Sequence, residues 1–279
     1  MNISENLRIA AEILEANKVA EARREAKSLL AFALNKNQTY LVAHSEYELN
    51  GEEEKRFQSV LERRARREPL QYIVGKQEFY GLDFVVTKDV LIPRPETELI
   101  VEAAIEIIKM GDRFCEVGVG SGCISIAILH ESKTTSAIGL DISEAALKTA
   151  WANAETHGVS DRLELKISDV YEHLKNEKFD LIVSNPPYIS IEDIKNLQPE
   201  VREFEPLKAL TDGKDGFSII EKIVRAAPRF LKRGSFLLLE IGFNQADKVK
   251  KMFDENIWRE VKILPDLQGI PRTIKAELR

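Results

Sequence analysis

From residue 113 onward, the chain repeats one pattern: a short apolar run followed by a stretch with helical periodicity. The predicted strands lie at residues 113–117, 136–141, 163–167 and 179–184, and helical stretches follow at 123–129 and 144–156. Two parallel strands need a long crossover between them, and that crossover is usually a helix. The alternation therefore predicts an α/β fold with a parallel, doubly wound sheet.

The turn after the first of these runs is rich in glycine. The run at 113–117 leads into Gly118, Val119, Gly120, Ser121 and Gly122 before the helix. Glycines in a strand-to-helix turn let a ligand approach the backbone closely, and the helix N-terminus offers free N–H groups. The spacing departs from the G-x-G-x-x-G pattern of dinucleotide-binding folds, and no Walker lysine follows. We therefore expect a nucleotide-type ligand here, but not a P-loop NTPase.

Acidic residues follow the second and third predicted strands. Asp141 ends the run at 136–141, and a carboxylate at that position can accept both ribose hydroxyls of a nucleoside. The alternative is a helix N-cap, although Ser143 is the better cap. After 163–167, Asp169 is a candidate partner for an adenine amino group, with Val170 packed on the ring. Its alternative is an ordinary aspartate at a strand end.

The tetrapeptide Asn185, Pro186, Pro187 and Tyr188 follows the fourth predicted strand. The side-chain oxygen of Asn185 is an acceptor, and so is the carbonyl of Pro186. Two acceptors at a fixed separation can hold both hydrogens of a planar –NH2 group, which is the geometry for methylating a poorly nucleophilic nitrogen. A proline-rich turn without chemistry is the alternative. All four features follow strands whose carboxyl ends share one sheet edge, where open α/β folds bind ligands.

The glycine loop, the two acids and the tetrapeptide, in this order after four strands, resemble the class I S-adenosylmethionine-dependent methyltransferases. Asn-Pro-Pro-Tyr resembles the subset of these enzymes that methylates conjugated amino groups. Other segments look like the HemK-type release-factor glutamine methyltransferases, and they lie at 71–73 with Gly75, 79–81, 91–98, 204–206, 209–210, 215–216, 239–242 and 266–269 with Arg272. The chain departs from the family at two positions. Glu116 stands where the family often has Asp, and Val170 stands where an aromatic residue can stack on adenine.

The resemblance implies a Rossmann-like sheet of seven mostly parallel strands, with an antiparallel final pair and a small N-terminal helical domain. It implies S-adenosyl-L-methionine as cofactor and S-adenosyl-L-homocysteine as product. The implied substrate is the N5 amide of the glutamine in the Gly-Gly-Gln motif of bacterial-type peptide chain release factors, whose methylation tunes translation termination.

Site roles follow for individual residues. Asn185, Pro186 and Tyr188 are the expected catalytic residues, and Pro187 completes the expected substrate site. The tyrosine would pack against the flat amide; its phenol, with a reference pKa near 10, is a poor base. The expected cofactor-binding residues are Gly118, Val119, Gly120, Ser121, Gly122, Asp141, Asp169, Val170 and Asn185.

Helical periodicity and glycine content divide the chain into three parts. Residues 1–75 predict a helical bundle for substrate recognition, 76–90 a β-hairpin linker, and 91–279 the catalytic domain. The polar stretch at 189–215 is long for a loop in a compact domain. It is either a surface excursion with one helix at 191–196 or a segment that closes over a substrate peptide.

Composition indicates a soluble cytoplasmic enzyme. The chain has 279 residues, of which 44% are hydrophobic, without an apolar run near the roughly 20 residues that span a bilayer. Residues 1–6 lack the plan of a signal peptide. Cys115 and Cys123 fit core positions in a reducing compartment. The four histidines show no metal-ligand spacing, so we expect no metal, and we expect a monomer without a membrane partner.

The main alternative is an amino-methyltransferase that flips a DNA or RNA base and stacks it on Tyr188. The net charge of −6 and the pI of about 5.5 argue against direct DNA binding, which draws on Lys and Arg. The basic run at 63–67 is more simply the solvated face of a helix at 52–67, although it could bind nucleic acid or an acidic, ribosome-related partner. A non-catalytic adaptor is a further alternative that the intact glycine loop disfavours.

Overall fold

Residues 1–279 are all described in the computed structural model, and they divide into two units. The first unit comprises residues 1–76 together with the separate segment 198–204. The second comprises 77–197 and 205–279. The hairpin at 76–90 thus belongs almost wholly to the second unit, and part of the 189–215 insertion belongs to the first.

The first unit is helical. Its helices up to residue 76 are α1 (Ile3–Ala16), α2 (Ala22–Leu34), α3 (Gln38–Ala43), α4 (Gly51–Ala65) and α5 (Leu70–Val74). Asn2 and Asn50 begin α1 and α4 with capping boxes, in which the asparagine accepts a backbone N–H three residues on and a glutamate returns the contact. The core of this unit includes the fully buried Leu14, Leu29 and Phe57.

A two-stranded hairpin begins the second unit. Strands β1 (Lys76–Phe79) and β2 (Leu82–Val85) are joined by Tyr80 and Gly81, whose φ angles are 52° and 71°. Two successive residues with positive φ make the kind of tight turn that matches strand twist. The hairpin expected within 76–90 is thus present at Lys76–Val85.

The second unit contains a seven-stranded sheet. Its strands are β3 (Arg113–Val117), β4 (Ser136–Asp141), β5 (Leu163–Ile167), β6 (Phe179–Ser184), β7 (Leu231–Glu240), β8 (Trp258–Pro265) and β9 (Pro271–Leu278). They lie in the order β5-β4-β3-β6-β7-β9-β8. Pairing is parallel from β5 to β7, and β9 runs antiparallel to both β7 and β8. The predicted fold class, including the antiparallel final pair, is confirmed.

Helices cover both faces of this sheet. The remaining helices are α6 (Glu98–Ile107), α7 (Cys123–Glu131), α8 (Glu144–Thr156), α9 (Pro199–Phe204), α10 (Leu207–Leu210), α11 (Ser218–Phe230) and α12 (Ala246–Lys250). Two short 3-10 turns lie at Pro95–Thr97 and Asp193–Asn196. No helix of the chain is long and apolar enough to cross a bilayer.

Some expected boundaries were wrong. The chain enters α6 through a 3-10 turn, since Pro95 fixes the backbone at the first position of that turn, and α6 itself starts at Glu98. The single helix expected at 191–196 is a 3-10 turn, and the insertion continues into α9 and α10. Cys115 and Cys123 are buried and unpaired, as expected for core residues.

The strand order positions the site. The chain moves outward from β3 through β4 to β5, then returns to the other side of β3 with β6 and β7. The reversal falls between β3 and β6, and open α/β sheets bind ligands in the crevice beyond the carboxyl ends of such strands. The glycine loop leaves β3 and the Asn-Pro-Pro-Tyr tetrapeptide leaves β6.

Candidate active site

The glycine loop and Asn185 meet at this reversal point. Strands β3 and β6 are in register, with Val117 opposite Ser184, so the next residues of both strands emerge together. A methyl group placed on Gly118 would lie 3.8 Å from the backbone oxygen of Asn185. The loop and the tetrapeptide therefore form two walls of one cleft.

The glycines of the loop serve two purposes. Gly118, Gly120 and Gly122 all have positive φ, between 54° and 83°, which other residues rarely adopt. At Gly122 a methyl group would lie 2.8 Å from the side chain of Ile126, so this position needs glycine for helix packing. At Gly120 no atom lies within 4 Å of the same point. The loop therefore packs tightly at its end and faces open space at its middle.

Asp141 is tied to the loop by its carboxylate. Its Oδ2 accepts from the N–H of Gly120 at 2.9 Å, and its Oδ1 accepts from the N–H of Ser143 at 2.9 Å. Ser143 caps α8 by accepting from Ala146, as expected. Burial raises the pKa of Asp141, while the backbone donors oppose that shift. Each carboxylate oxygen keeps lone-pair capacity for a further donor, such as a ribose hydroxyl.

Asp169 and Val170 lie just beyond β5, at the same sheet edge. Asp169 accepts from Lys222 Nζ at 3.0 Å, and its side chain is 43% exposed. An exposed ion pair of this kind contributes little free energy, so a ligand can displace the lysine readily. Val170 is buried with a φ of 51°, a conformation that is rare for a β-branched residue. Such local strain is typical of ligand sites.

Glu116 is buried beneath the glycine loop. Its Oε2 accepts from the backbone N–H of Ser125 at 2.9 Å and from the hydroxyl of the same serine. Burial raises the pKa of Glu116 to about 8, and the two hydrogen bonds from Ser125 act in the opposite direction. This glutamate joins the end of β3 to α7 and supports the loop.

Asn185 is held by a neighbour that the sequence analysis did not single out. Its Nδ2 donates to the hydroxyl oxygen of Thr97 at 3.0 Å. Thr97 ends the 3-10 turn before α6 and is buried. With its nitrogen engaged there, Asn185 keeps its side-chain oxygen as a free acceptor. Pro186 beside it is buried, and its carbonyl is a second acceptor.

Tyr188 is fixed at both its backbone and its side chain. Its carbonyl accepts from Gln245 Nε2 at 2.8 Å, and its hydroxyl donates to Glu240 Oε1 at 3.3 Å. Burial, followed by the charge of Glu240, raises the pKa of Tyr188 well above its ordinary value. The phenol therefore stays protonated at neutral pH.

Glu240 is the second residue that the sequence analysis missed. It ends β7, is 2% exposed, and its Oε2 has no hydrogen-bond partner. Burial raises the pKa of Glu240 to about 7, against the hydrogen-bond donors Thr97 and Tyr188. A signal was present in the sequence, because an acid directly after an apolar run is the same pattern that drew attention to Asp141.

The basic run at 63–67 is neutralised within the first unit. Arg64 is paired with Glu25 and with Glu200, the latter at 3.0 Å, and Arg67 is paired with Glu200 at 2.6 Å. The favoured interpretation as a solvated helix face was therefore wrong for these arginines. Only 5% of the Arg64 side chain is exposed, because it binds carboxylates rather than water. Glu200 lies on α9, so the insertion supplies this counter-charge.

Comparison with known proteins follows the same division of the chain. A family model described as the PrmC N-terminal domain matches residues 5–75, and one described as the methyltransferase small domain matches 96–199. A release factor glutamine methyltransferase from Geobacter sulfurreducens is 43% identical over 260 residues, which cover 93% of this chain and 91% of the relative. One from Cereibacter sphaeroides is 41% identical over 278 residues, covering 100% and 99%.

Among solved structures, a methyltransferase from Pyrococcus furiosus superimposes with a TM-score of 0.55 at 17% identity. The match covers 77% of this chain and 98% of that one. At that identity the likeness concerns the fold alone.

Proposed function

This chain belongs to the release factor glutamine methyltransferase family, and we propose that it methylates the N5 amide nitrogen of the Gly-Gly-Gln glutamine of peptide chain release factors. The observation that carries the proposal is the arrangement of Asn185. Its amide nitrogen is engaged by Thr97, which leaves the amide oxygen as an acceptor, and its backbone lies beside the glycine loop.

The cleft suits S-adenosyl-L-methionine as the methyl donor. Gly120 faces open space, where a side chain would obstruct a ligand, and Asp141 offers two oxygens with free lone pairs for ribose. Asp169 and Val170 would border the adenine, and Val119, Ser121 and Gly122 complete the loop around the ligand. Bound there, S-adenosyl-L-methionine supplies an activated methyl group on a sulfonium and is converted to S-adenosyl-L-homocysteine.

The protein's contribution to the reaction is orientation and charge stabilisation. An amide nitrogen is a poor nucleophile because its lone pair is delocalised into the carbonyl. The oxygen of Asn185 and the carbonyl of Pro186 accept the two amide hydrogens, which points the nitrogen at the methyl group. The same acceptors stabilise the positive charge that develops on the nitrogen.

Tyr188 and Pro187 close this site around the amide. Tyr188 packs against the amide plane and excludes water. The methylated nitrogen is strongly acidic and loses its proton without a strong base, so a phenol with a raised pKa is compatible with this role.

Substrate recognition is assigned to the parts outside the sheet. We infer that residues 1–75 bind the release factor and that the insertion at 189–215, which follows Tyr188 directly, covers the substrate peptide. The enzyme would act in the cytoplasm as a monomer.

The decisive experiment is transfer of labelled methyl from S-adenosyl-L-methionine to three acceptors in parallel. They are a bacterial peptide chain release factor, the same factor with its Gly-Gly-Gln glutamine replaced, and mixed DNA and RNA. Label on the intact factor alone would support the proposal. Label on nucleic acid would instead favour the base-flipping alternative, with the Asn185 acceptors holding a nucleobase amine.

Asn185→Ala tests the role of the side-chain oxygen. We expect turnover to fall by about 100-fold or more, by analogy with loss of one oxyanion-hole donor. The affinity for S-adenosyl-L-methionine, measured by calorimetry, should change much less. Near-normal turnover of Asn185→Ala on the release factor would contradict this role.

A further inference from the structure

The side chain of Asn185 works only in one of two orientations. Its oxygen and nitrogen have nearly the same shape, so the amide can rotate by half a turn without a steric penalty. In the wrong orientation, it would point N–H donors at the –NH2 group of the substrate. Some feature of the protein must therefore select the orientation in which the oxygen faces the substrate.

We propose that Thr97 and Glu240 are positioning residues that fix the amide of Asn185 with its oxygen toward the substrate. The proposal rests on the proposed function, since it concerns how that site is kept ready for an amide. Neither residue would touch the reacting atoms. Thr97 acts through Asn185, and Glu240 acts through Thr97, although Glu240 also accepts from the hydroxyl of Tyr188.

The sheet places these residues together. Strands β6 and β7 run parallel with Ser184 opposite Leu239, so Asn185, which follows β6, and Glu240, the last residue of β7, come next on the two neighbouring strands. Thr97 reaches the same point from the turn before α6 and is 2% exposed. The three side chains thus converge from three separate elements, and two of them are almost fully excluded from water.

The order of donors and acceptors sets the orientation. Thr97 is hydrogen-bonded to Glu240. An ionised carboxylate only accepts hydrogen bonds, so when Glu240 is ionised the hydroxyl of Thr97 donates to it. The oxygen of Thr97 is then left as an acceptor, and it takes the N–H of Asn185 at 3.0 Å. Thr97 alone would not fix the orientation of the Asn185 amide, because a hydroxyl can rotate to donate or to accept. The carboxylate of Glu240 fixes the direction of both hydrogen bonds of Thr97.

Other groups around Glu240 determine when it carries its charge. Burial and the carboxylate of Glu96 raise the pKa of Glu240, whereas the hydroxyls of Thr97 and Tyr188 and the guanidinium of Arg272 lower it. The resulting pKa of Glu240 is about 7. A protonated Glu240 could donate to Thr97, and the hydroxyl of Thr97 could then donate to Asn185, which would turn the amide nitrogen of Asn185 toward the substrate. Turnover should therefore decline as the pH falls below about 7.

The experiment compares Thr97→Val, Thr97→Ser and Glu240→Gln with the wild-type enzyme on an intact release factor. Thr97→Val should lower kcat by about tenfold or more, as expected for one lost positioning hydrogen bond, with little change in KM for S-adenosyl-L-methionine. Thr97→Ser keeps the hydroxyl and should retain kcat within about twofold. Glu240→Gln should lower kcat and abolish its decline below pH 7.

A double-mutant cycle separates positioning from general support of the fold. If Thr97 acts through Asn185, adding Thr97→Val to Asn185→Ala should change the residual kcat by less than about twofold. A residue that merely stabilises the fold would lower activity in both backgrounds. Thermal unfolding of every variant shows that the comparison is made on folded protein.

Two results would overturn the inference while leaving the proposed function intact: full kcat in Thr97→Val, or an equal loss from Thr97→Val with and without Asn185. Failure of the wild-type enzyme to label the release factor is a separate outcome, and it would overturn both the proposed function and the inference that rests on it.

Discussion

Gly216→Ala is the most informative single substitution in this chain, because Gly216 presses against the backbone of Tyr188. A methyl group at Gly216 would lie 2.2 Å from the carbonyl oxygen of Tyr188 and 3.2 Å from the nitrogen of Ser190. Since carbon atoms of side chains do not approach oxygen closer than about 3.0 Å, the two segments would have to separate by about 0.8 Å.

Neither segment can move easily. The N–H groups of Gly216 and Ser218 are held by the carboxylate of Asp212 at 3.0 and 2.8 Å. On the other side, the Tyr188 carbonyl is held by Gln245 at 2.8 Å. We therefore expect about 1–2 kcal/mol of backbone strain from the φ of 82° and about 1–3 kcal/mol from overpacking. Because we propose that Tyr188 packs against the substrate amide, a shift of this size should also lower kcat by about 10- to 100-fold.

Gly213→Ala is the matched control. Gly213 lies in the same loop with a φ of 75°, but no atom lies within 4 Å of the methyl position. It should show the backbone strain alone, about 1–2 kcal/mol, with kcat unchanged. Urea unfolding and single-turnover methylation of a release factor measure both effects. Equal stability and equal kcat in the two variants would refute the reasoning from close contact.

Three further predictions concern other parts of the chain. Glu200→Gln should destabilise the protein by about 2–3 kcal/mol in urea unfolding. This is less than the loss of an entire buried ion pair, because Arg64 still has Glu25 as a partner. Glu203→Gln is the control and should destabilise less, because the side chain of Glu203 is 51% exposed. The pKa of Glu116 is about 8 in the folded protein and 4.5 in the unfolded chain, so the folded state binds the proton more tightly and the free energy of unfolding should fall as the pH rises between these values. Glu116→Gln should flatten this dependence of stability on pH, as measured by urea unfolding. An unchanged pH dependence would count against the burial of a protonated Glu116. Asp141→Asn places an N–H donor opposite the backbone N–H of Gly120 or Ser143 and should raise the Kd for S-adenosyl-L-methionine about tenfold, as measured by calorimetry. An unchanged Kd would show that Asp141 is not part of the cofactor site.

Much of the fold and the sheet edge could be predicted from the sequence. The strands at 113–117, 136–141, 163–167 and 179–184 have the bounds that the sequence predicted. The strand at 179–184 is the clearest case, since a strand that is buried on both faces must be largely apolar. The helix at 144–156 was equally clear, because Ser143 is a strong N-cap. The features of the proposed cofactor cleft were visible because each directly follows one of these strands.

The remaining features depend on contacts between distant segments. Thr97 meets Asn185 across 88 positions, and no local pattern gives a threonine at a helix start that role. The arginines at 64 and 67 have the composition of a solvated helix face, and only the position of Glu200 makes them internal. The need for glycine at 216 likewise arises from the Tyr188 backbone, which the sequence places 28 positions away.

The carboxylate of Glu200 also has a consequence for synthesis. Arg64 emerges from the ribosome 136 residues before the glutamate that pairs with it. At about 5–20 residues per second, this interval lasts roughly 7–27 s. During that time the nascent helices α1 to α5 hold a guanidinium whose second counter-ion does not yet exist. The first unit therefore reaches its final state late, when α9 leaves the exit tunnel, although its own sequence is the first to be made.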